Sequence, residues 1–303
     1  MLVDLLLFAA FGALGLWLQR GPHGDVVRRR LWAVNYAVFI PVAAAFAFLT
    51  VDLDGDLVAI FACTVTAWWL TVALAGAYGH LTARTRPMAG ALWLVGAFPN
   101  TGFIGFPLAN LAFGADGLRF AIIYDQVSLV IPAIVVSTII AQRHSGSASS
   151  VATASAWRTV VTSPPVWSVA VLLLLRATIV PEPLELDALG VAVGAIVGPV
   201  GFLLLGLSLP LGEFTHGRRE VFDVIGAITI RMVAAPLIVW LVAHAAGVDV
   251  PDVLYLVAAL PTAFHALVIS RLYGLEVTVV RLGVLSSSVG VIAVTVGWVA
   301  LGG

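Results

Sequence analysis

The sequence has no lysine, a single cysteine and few charged residues of either sign. Only 10% of its 303 residues are charged, 15 of them basic and 16 acidic. Water-soluble domains carry roughly 25% charged residues, so neither a soluble enzyme nor a disordered chain is expected. Because a basic surface is missing, nucleic acid is not expected as a partner. The lone Cys63 leaves no internal disulfide and no cysteine-based zinc site.

Motifs for catalysis and for ATP hydrolysis are also missing. The sequence contains neither the His-Glu-x-x-His helix of zinc proteases nor the Gly-x-Ser-x-Gly turn of serine hydrolases. A phosphate-binding loop for ATP is absent as well. We therefore expect no enzyme, no ATP-driven pump, no cofactor and no metal site, and a passive channel stays open as an alternative to a carrier.

Apolar residues make up 61% of the chain and fall into ten blocks. The blocks run approximately over 2–18, 31–51, 57–79, 88–113, 120–141, 165–180, 189–212, 221–247, 253–273 and 277–301. A helix needs about 20 apolar residues to cross a bilayer, and a barrel strand only about half as many. The blocks therefore predict an all-α polytopic membrane protein with ten transmembrane helices, the sixth of them short.

Arginine side chains collect in the odd-numbered connections between these blocks, whereas the even-numbered connections are mostly acidic. The arginines of the odd connections are Arg20, Arg28, Arg29, Arg30, Arg84, Arg86, Arg143, Arg158, Arg218, Arg219 and Arg271. Arg119, which follows Asp116, is the exception. Because arginine marks the cytoplasmic side of a membrane, both termini are predicted to lie outside.

The longest stretch that is not apolar divides the chain into two halves with five blocks each. Residues 1–142 form the first half, 143–163 a cytoplasmic linker and 164–303 the second half. Since five is odd, the second half must enter the membrane with the opposite orientation. The sequence therefore predicts two inverted five-helix repeats, the arrangement of many secondary transporters.

Residues that break helices interrupt the fourth and ninth blocks in matching places. Pro261 is at position 98 of the second half when 164 is counted as its first residue, and Pro99 is at position 99 of the first half. Proline removes a backbone donor and clashes with the preceding turn. One such interruption is an ordinary proline kink, whereas two at equivalent positions favour a binding site at the membrane midplane.

The interruptions carry the groups that a small ligand needs. An unwound stretch frees backbone N–H and C=O groups, and the half-helix beyond it presents a positive end that suits a carboxylate. Asn100 and Thr101 add side-chain donors and acceptors, while Gly102 and Gly105 permit close approach to the backbone. The freed carbonyls equally suit a cation, so the breaks alone leave the sign of the substrate charge open.

The run from Pro99 to Leu108, Pro-Asn-Thr-Gly-Phe-Ile-Gly-Phe-Pro-Leu, resembles the fourth-helix signature of the auxin efflux carrier family. The segment 261–274 is similar to the family's ninth helix, and 124–126 and 205–209 also fit. The family includes plant auxin carriers and bacterial carriers of malate and related organic acids. The resemblance covers all ten blocks and indicates a prokaryotic member in the cell membrane.

The resemblance implies a mechanism and a site. The fourth and ninth helices are expected to cross in a mobile transport domain, which moves like an elevator against a scaffold domain in a homodimer. The implied cargo is a small organic anion. The predicted substrate site consists of Asn100, Thr101, Gly102, Pro107, Pro261, Thr262 and His265, and the predicted helix breaks lie at Pro99, Gly105, Pro107 and Pro261.

The chain departs from the family in two respects. Bacterial members often have asparagine where His265 stands, and the acid–lysine pair of plant members has no counterpart in a chain without lysine. His265 either takes part in proton sensing, since histidine titrates near neutral pH, or is a neutral imidazole that is hydrogen-bonded inside the bundle.

Three further polar residues lie within the apolar blocks and are candidates for coupling or charge compensation, namely Asp125, Gln126 and Arg231. Charge in the membrane is functional by default, although Asp125 could instead pair with Arg119 near the outer surface. Arg231 either offsets a carboxylate, of the substrate or of Asp125, or ties backbone carbonyls at a helix end. The alternative function is a sodium- or proton-coupled carrier of the bile-acid symporter or sodium/proton antiporter type.

Overall fold

The structure is a computed structural model that describes residues 2–145, 158, 161–209 and 217–300. Within these ranges it is all-helical, apart from one isolated β-bridge. Its α-helices are α1 (Leu2–Arg20), α2 (Gly24–Val34), α3 (Ile40–Thr50), α4 (Gly55–Thr82), α5 (Arg86–Ala97), α6 (Phe106–Tyr124), α7 (Ile131–His144), α8 (Pro164–Thr178), α9 (Asp187–Ser208), α10 (Arg218–Thr229), α11 (Ala235–Ala246), α12 (Asp252–Ala258), α13 (His265–Tyr273) and α14 (Val277–Ala300).

Seven helical stretches of the described chain are long and apolar enough to cross a membrane, judged by length and composition. Helix α8 is apolar but shorter. The fourth and ninth blocks are each split into shorter helices, α5 and the start of α6 in one case and α12 and α13 in the other. An all-helical polytopic membrane protein is thus confirmed, while the number of ten crossings and the inverted repeats stay predictions.

Proline decides where the long helices are distorted. The described residues contain four π-helical turns, at Asn35–Phe39, Thr101–Gly105, Asp125–Val130 and Ile230–Ala234. In each case the next α-helix has proline as its second residue, at Pro41, Pro107, Pro132 and Pro236. Because proline lacks an N–H and its ring clashes with the carbonyl four residues earlier, the turn before it widens locally to the π form.

A glycine separates the fourth block from the fifth. Within α6, Gly114 has φ 65°, a left-handed conformation that only glycine adopts at little cost. The chain therefore turns at Gly114, and α6 consists of two helices on either side of it.

Small residues allow the helices to pack closely. A Cβ atom on Gly15 of α1 would lie 2.8 Å from the backbone nitrogen of Leu207 in α9. In the same pair of helices, Phe8 stacks on Phe202 with ring centroids 5.0 Å apart. Such small-residue contacts are typical of helix packing in membranes, where van der Waals contact replaces the hydrophobic effect.

The predicted linker 143–163 falls largely outside the described residues. Residues 146–157, 159 and 160 are not among them. The division of the chain into two repeats around this linker therefore stays a prediction.

Candidate functional site

The two predicted helix breaks lie side by side. The backbone N–H of Asn100 donates a hydrogen bond to the carbonyl of Pro261 at 2.7 Å, and the N–H of Ala263 donates to the carbonyl of Phe98 at 2.9 Å. Together these bonds form an antiparallel bridge between Pro99 and Thr262. Residues that are more than 160 positions apart in the chain thus satisfy each other's backbone groups.

Thr262 completes the end of helix α5. The carbonyl of Val95 would normally accept from the N–H four residues later, but that residue is Pro99, which has none. Instead the hydroxyl of Thr262 donates to Val95 at 2.9 Å. The backbone N–H of Thr262 in turn donates to the Ser287 hydroxyl at 3.1 Å. Thr262 is 0% exposed, so its side chain serves the packing of the two breaks.

Arg231 contacts the carbonyl ends of both broken helices. Its Nη1 donates to the carbonyl of Ala97, the last residue of α5, at 3.0 Å. Its Nη2 donates to the carbonyl of Ala258, the last residue of α12. Of the two alternatives for Arg231, the structure therefore shows the second, in which its side chain bonds backbone carbonyls at helix ends. Across the described residues, Arg231 forms no ion pair with Asp125.

Asn100 lies at the start of the π-helical turn Thr101–Gly105 and is only 4% exposed. Its side-chain oxygen accepts from the N–H of Phe103 at 3.4 Å, and its backbone carbonyl accepts from the N–H of Gly105 at 3.1 Å. The side-chain nitrogen Nδ2 of Asn100 is buried and has no hydrogen-bond partner among the described residues. A buried donor of this kind is available for a ligand or for water.

Asp125 and Gln126 reach the first break through Thr101. The Thr101 hydroxyl donates to one carboxylate oxygen of Asp125, and Gln126 Nε2 lies 2.9 Å from the other. Arg119 instead forms an ion pair with Asp116 at 3.2 Å, so the alternative pairing of Asp125 with Arg119 is not observed. The structure thus joins a predicted substrate residue to both candidates for coupling on the fifth block.

The two glycines of the break have different surroundings. A Cβ atom on Gly102 would meet no atom from another part of the chain within 4 Å, whereas one on Gly105 would lie 2.5 Å from the side chain of Leu260. Pro107 packs against α9, because its Cγ would lie 3.2 Å from a Cβ atom on Gly201. Gly102 therefore borders open space, while Gly105 and Pro107 lie in close helix contacts.

His265 is the first residue of α13 and lies against the first break. Its ring meets that of Phe98 edge to face, with centroids 4.9 Å apart. Its Nε2 is buried without a hydrogen-bond partner in the described part of the chain. The described protein therefore offers no hydrogen bond to this nitrogen, as a neutral imidazole bonded inside the bundle would require.

Several residues of this region were not expected from the sequence. Trp68 Nε1 donates to the Ala97 carbonyl at 3.1 Å, and the ring of Trp32 meets that of Phe103 with centroids 4.9 Å apart. The sequence could have pointed to Ser287, since it is the middle of three consecutive serines in an otherwise apolar block. The tryptophans carry no such signal, because nine of them are spread over the chain.

The groups at the two breaks could form hydrogen bonds to a small polar ligand. In the described ranges, no group of three or more His, Cys, Asp or Glu side chains could hold a metal ion. The unpartnered amide nitrogen of Asn100 and the imidazole of His265 lie at the two breaks. The breaks also provide the amino-terminal ends of a π-helical turn and of α13, which favour negative charge.

Comparison with known proteins gives two similarities. Residues 5–299 match the model of a family described as membrane transport protein. An uncharacterized transporter from Methanothermobacter thermautotrophicus is 27% identical over 285 residues, which cover 89% of this chain and 87% of that protein. Both similarities extend over nearly the whole chain, and the family match includes both breaks.

Replacement of Thr262 by valine is expected to lower the free energy of unfolding by about 1–3 kcal/mol, because the buried carbonyl of Val95 loses its donor while the side-chain shape is kept. Unfolding of the purified protein in detergent measures this. The control is Thr295→Val, since the Thr295 hydroxyl donates only to a carbonyl of its own helix, that of Val291 at 2.9 Å. Equal losses in the two variants would contradict the role of Thr262.

Proposed function

The chain belongs to the membrane transport protein family, the auxin efflux carriers that its fourth-helix motif resembles, and we propose that it is a secondary carrier of a small organic anion. The observation that carries this proposal is the pairing of two buried helix breaks from distant parts of the chain. Paired breaks of this kind form the midplane substrate sites of secondary transporters. Membership of a transporter family also argues against an enzyme.

An anion suits the groups at the breaks better than a cation does. The freed carbonyls of Phe98, Pro261, Ala97 and Ala258 already accept hydrogen bonds from the protein, and those of Ala97 and Ala258 bond the positive charge of Arg231, which disfavours a second cation there. Within residues 98–105, the buried side-chain atom without a partner is a donor, the Nδ2 of Asn100. A carboxylate would accept from it and would lie near the positive ends of the half-helices.

The open space beside Gly102 is the proposed position of the bound anion. A Cβ on Gly102 would meet no atom of another part of the chain within 4 Å. Gly102 follows Thr101, whose hydroxyl donates to Asp125, so a ligand at this point would lie next to a carboxyl group. We assign the substrate contacts to Asn100, Thr101, Gly102 and His265, with Pro107, Pro261 and Thr262 shaping the backbone around them.

The proposed architecture is ten spans in two inverted five-helix repeats, residues 1–142 and 164–303. All ten apolar blocks of the sequence contain helix in the structure. Arginine is concentrated in every second connection between the blocks. On this basis both termini face the outside of a prokaryotic cell membrane. The two breaks are hydrogen-bonded to each other, so they would move together as one body in an elevator-type motion, within a homodimer.

Proton coupling is a second candidate, favoured by the contact between Asp125 and Thr101. A carboxyl group that touches the substrate site would gain or lose a proton as the site fills and empties. A carrier of the sodium/proton antiporter type usually has a pair of acids at this point, and the described chain offers only Asp125. A symporter that couples the anion to a proton or to sodium, as in the bile-acid type, therefore fits better than an antiporter.

Replacement of Asn100 by alanine is expected to abolish ligand binding and leave a folded protein, because the donor at the break is lost. The measurement is a thermal-shift screen with mono- and dicarboxylates, each with and without sodium. An anion at 100 times its Kd should stabilise the unchanged protein by about 2.7 kcal/mol.

The control for this screen is Asn110→Ala. Asn110 lies in α6, beyond the π-helical turn of the first break, and donates to the carbonyl of Gly194 at 3.2 Å. This variant should lose some stability but keep the ligand-induced shift. A shift that survives in Asn100→Ala would count against a binding site at the breaks.

Replacement of Asp125 by asparagine is expected to flatten the pH dependence of transport, because the amide cannot exchange a proton. The test is liposome uptake of an anion that stabilises the unchanged protein in the thermal-shift screen, measured from about pH 5 to pH 8. The control is Asp116→Asn, which removes a carboxylate that is paired with Arg119 outside the site. If the profile of Asp125→Asn matches that of the unchanged protein, Asp125 has a structural role only.

A further inference from the structure

One guanidinium group bonds two helix ends that belong to different halves of the chain. Arg231 lies in the π-helical turn Ile230–Ala234 and is 1% exposed. It donates to Ala97, which ends α5 directly before the first break, and to Ala258, which ends α12 directly before the second. No other described side chain donates hydrogen bonds to both of these helices.

The two carbonyl ends need such a donor. The last carbonyls of any α-helix have no partner within the helix, and they carry the negative end of its dipole. In a continuing helix the carbonyl of Ala258 would accept from the N–H of residue 261 or 262, but Pro261 has none and Thr262 donates to Ser287. Beyond Ala97, the N–H of Asn100 donates to the carbonyl of Pro261 instead. A guanidinium suits this position, because its planar fork holds several donors in fixed directions and keeps its charge.

The positive charge of Arg231 is not neutralised by an acidic side chain of the described chain. No carboxylate among the described residues forms an ion pair with it, and its Nε is buried without a partner. A buried charge within the membrane is expensive, and it is usually retained for a function. Here it is compensated by the partial negative charges of two helix ends.

We propose that Arg231 is a positioning residue of the transport site, which clamps the carbonyl ends of α5 and α12 and thereby keeps the two breaks in register. The clamp fixes the separation of the two half-helices at one end, and the bridge between Pro99 and Thr262 joins the breaks at the other. Its importance for transport rests on the function proposed above, whereas the clamp itself is a property of the protein without substrate.

The chain offers a matched control in Arg176. This arginine is also buried, at 4% exposure, and its guanidinium also donates to two carbonyls, those of Val180 at 3.1 Å and Val51 at 2.8 Å. These carbonyls lie beyond the ends of α8 and α3, away from the breaks. Loss of Arg176 therefore removes the same kind of interaction without touching the proposed clamp.

The test is hydrogen–deuterium exchange with mass spectrometry on the full chain in lipid nanodiscs without substrate. Arg231→Gln is expected to speed exchange in the peptides over 98–105 and 260–266 together, by roughly ten- to a hundredfold, the usual effect of a lost hydrogen bond to a charged group. Arg231→Lys keeps the charge but has a single ammonium in place of the fork. It should give a smaller increase at the same two segments.

Three results would overturn the proposal. The first is an increase confined to 218–246, which would assign Arg231 to the stability of its own helix. The second is an increase at one break alone, which would remove the link between them. The third is an equal effect of Arg176→Gln at both breaks, which would show general destabilisation. If Arg231→Gln does not fold, Arg231→Lys carries the same test, and unchanged exchange at both breaks in that variant contradicts the clamp.

Discussion

Two backbone hydrogen bonds between broken helices are the interaction on which the rest of the structure depends. In a membrane every backbone polar group must find its partner within the protein, so an unwound segment is stable only if another segment satisfies it. Asn100 and Ala263 donate across the gap to Pro261 and Phe98. Each break is therefore the partner of the other, and neither would be stable in its place alone.

This mutual dependence explains how a polar site can exist at the centre of an apolar bundle. Proline and the helix ends leave carbonyls without a helical partner, and side chains from elsewhere in the chain bond them, namely Thr262 at Val95 and Arg231 at Ala97. Among the buried side-chain atoms that have no partner in the described chain, Asn100 Nδ2 and His265 Nε2 lie at the breaks, and Gln126 Oε1 belongs to the residue that bonds Asp125. Buried polar groups are rarely left unsatisfied, so these atoms are the candidates for contact with a ligand or with water.

The positions of the breaks could be predicted from the sequence, because proline acts on its own helix and needs no tertiary information. The proximity of Asp125 to Thr101 could not be derived, since it depends on how the fifth block packs against the fourth. For Arg231 the sequence left two alternatives open, because a free carbonyl is recognised only once the end of each helix is known. Thr262 shows the same limit, as its hydroxyl completes a helix that lies 167 positions away.

The pairing of the two breaks is tested most directly by a disulfide between Pro99 and Thr262. These residues face each other in the antiparallel bridge without a hydrogen bond between them, and such pairs have Cα atoms about 4.5 Å apart. A disulfide requires about 4.4–6.8 Å. In a Cys63→Ser background, Pro99→Cys with Thr262→Cys is expected to cross-link on mild oxidation, as detected by mass spectrometry of the joined peptides, whereas Pro99→Cys with Thr295→Cys is not. A folded protein with both cysteines of the first pair unlinked would contradict the account.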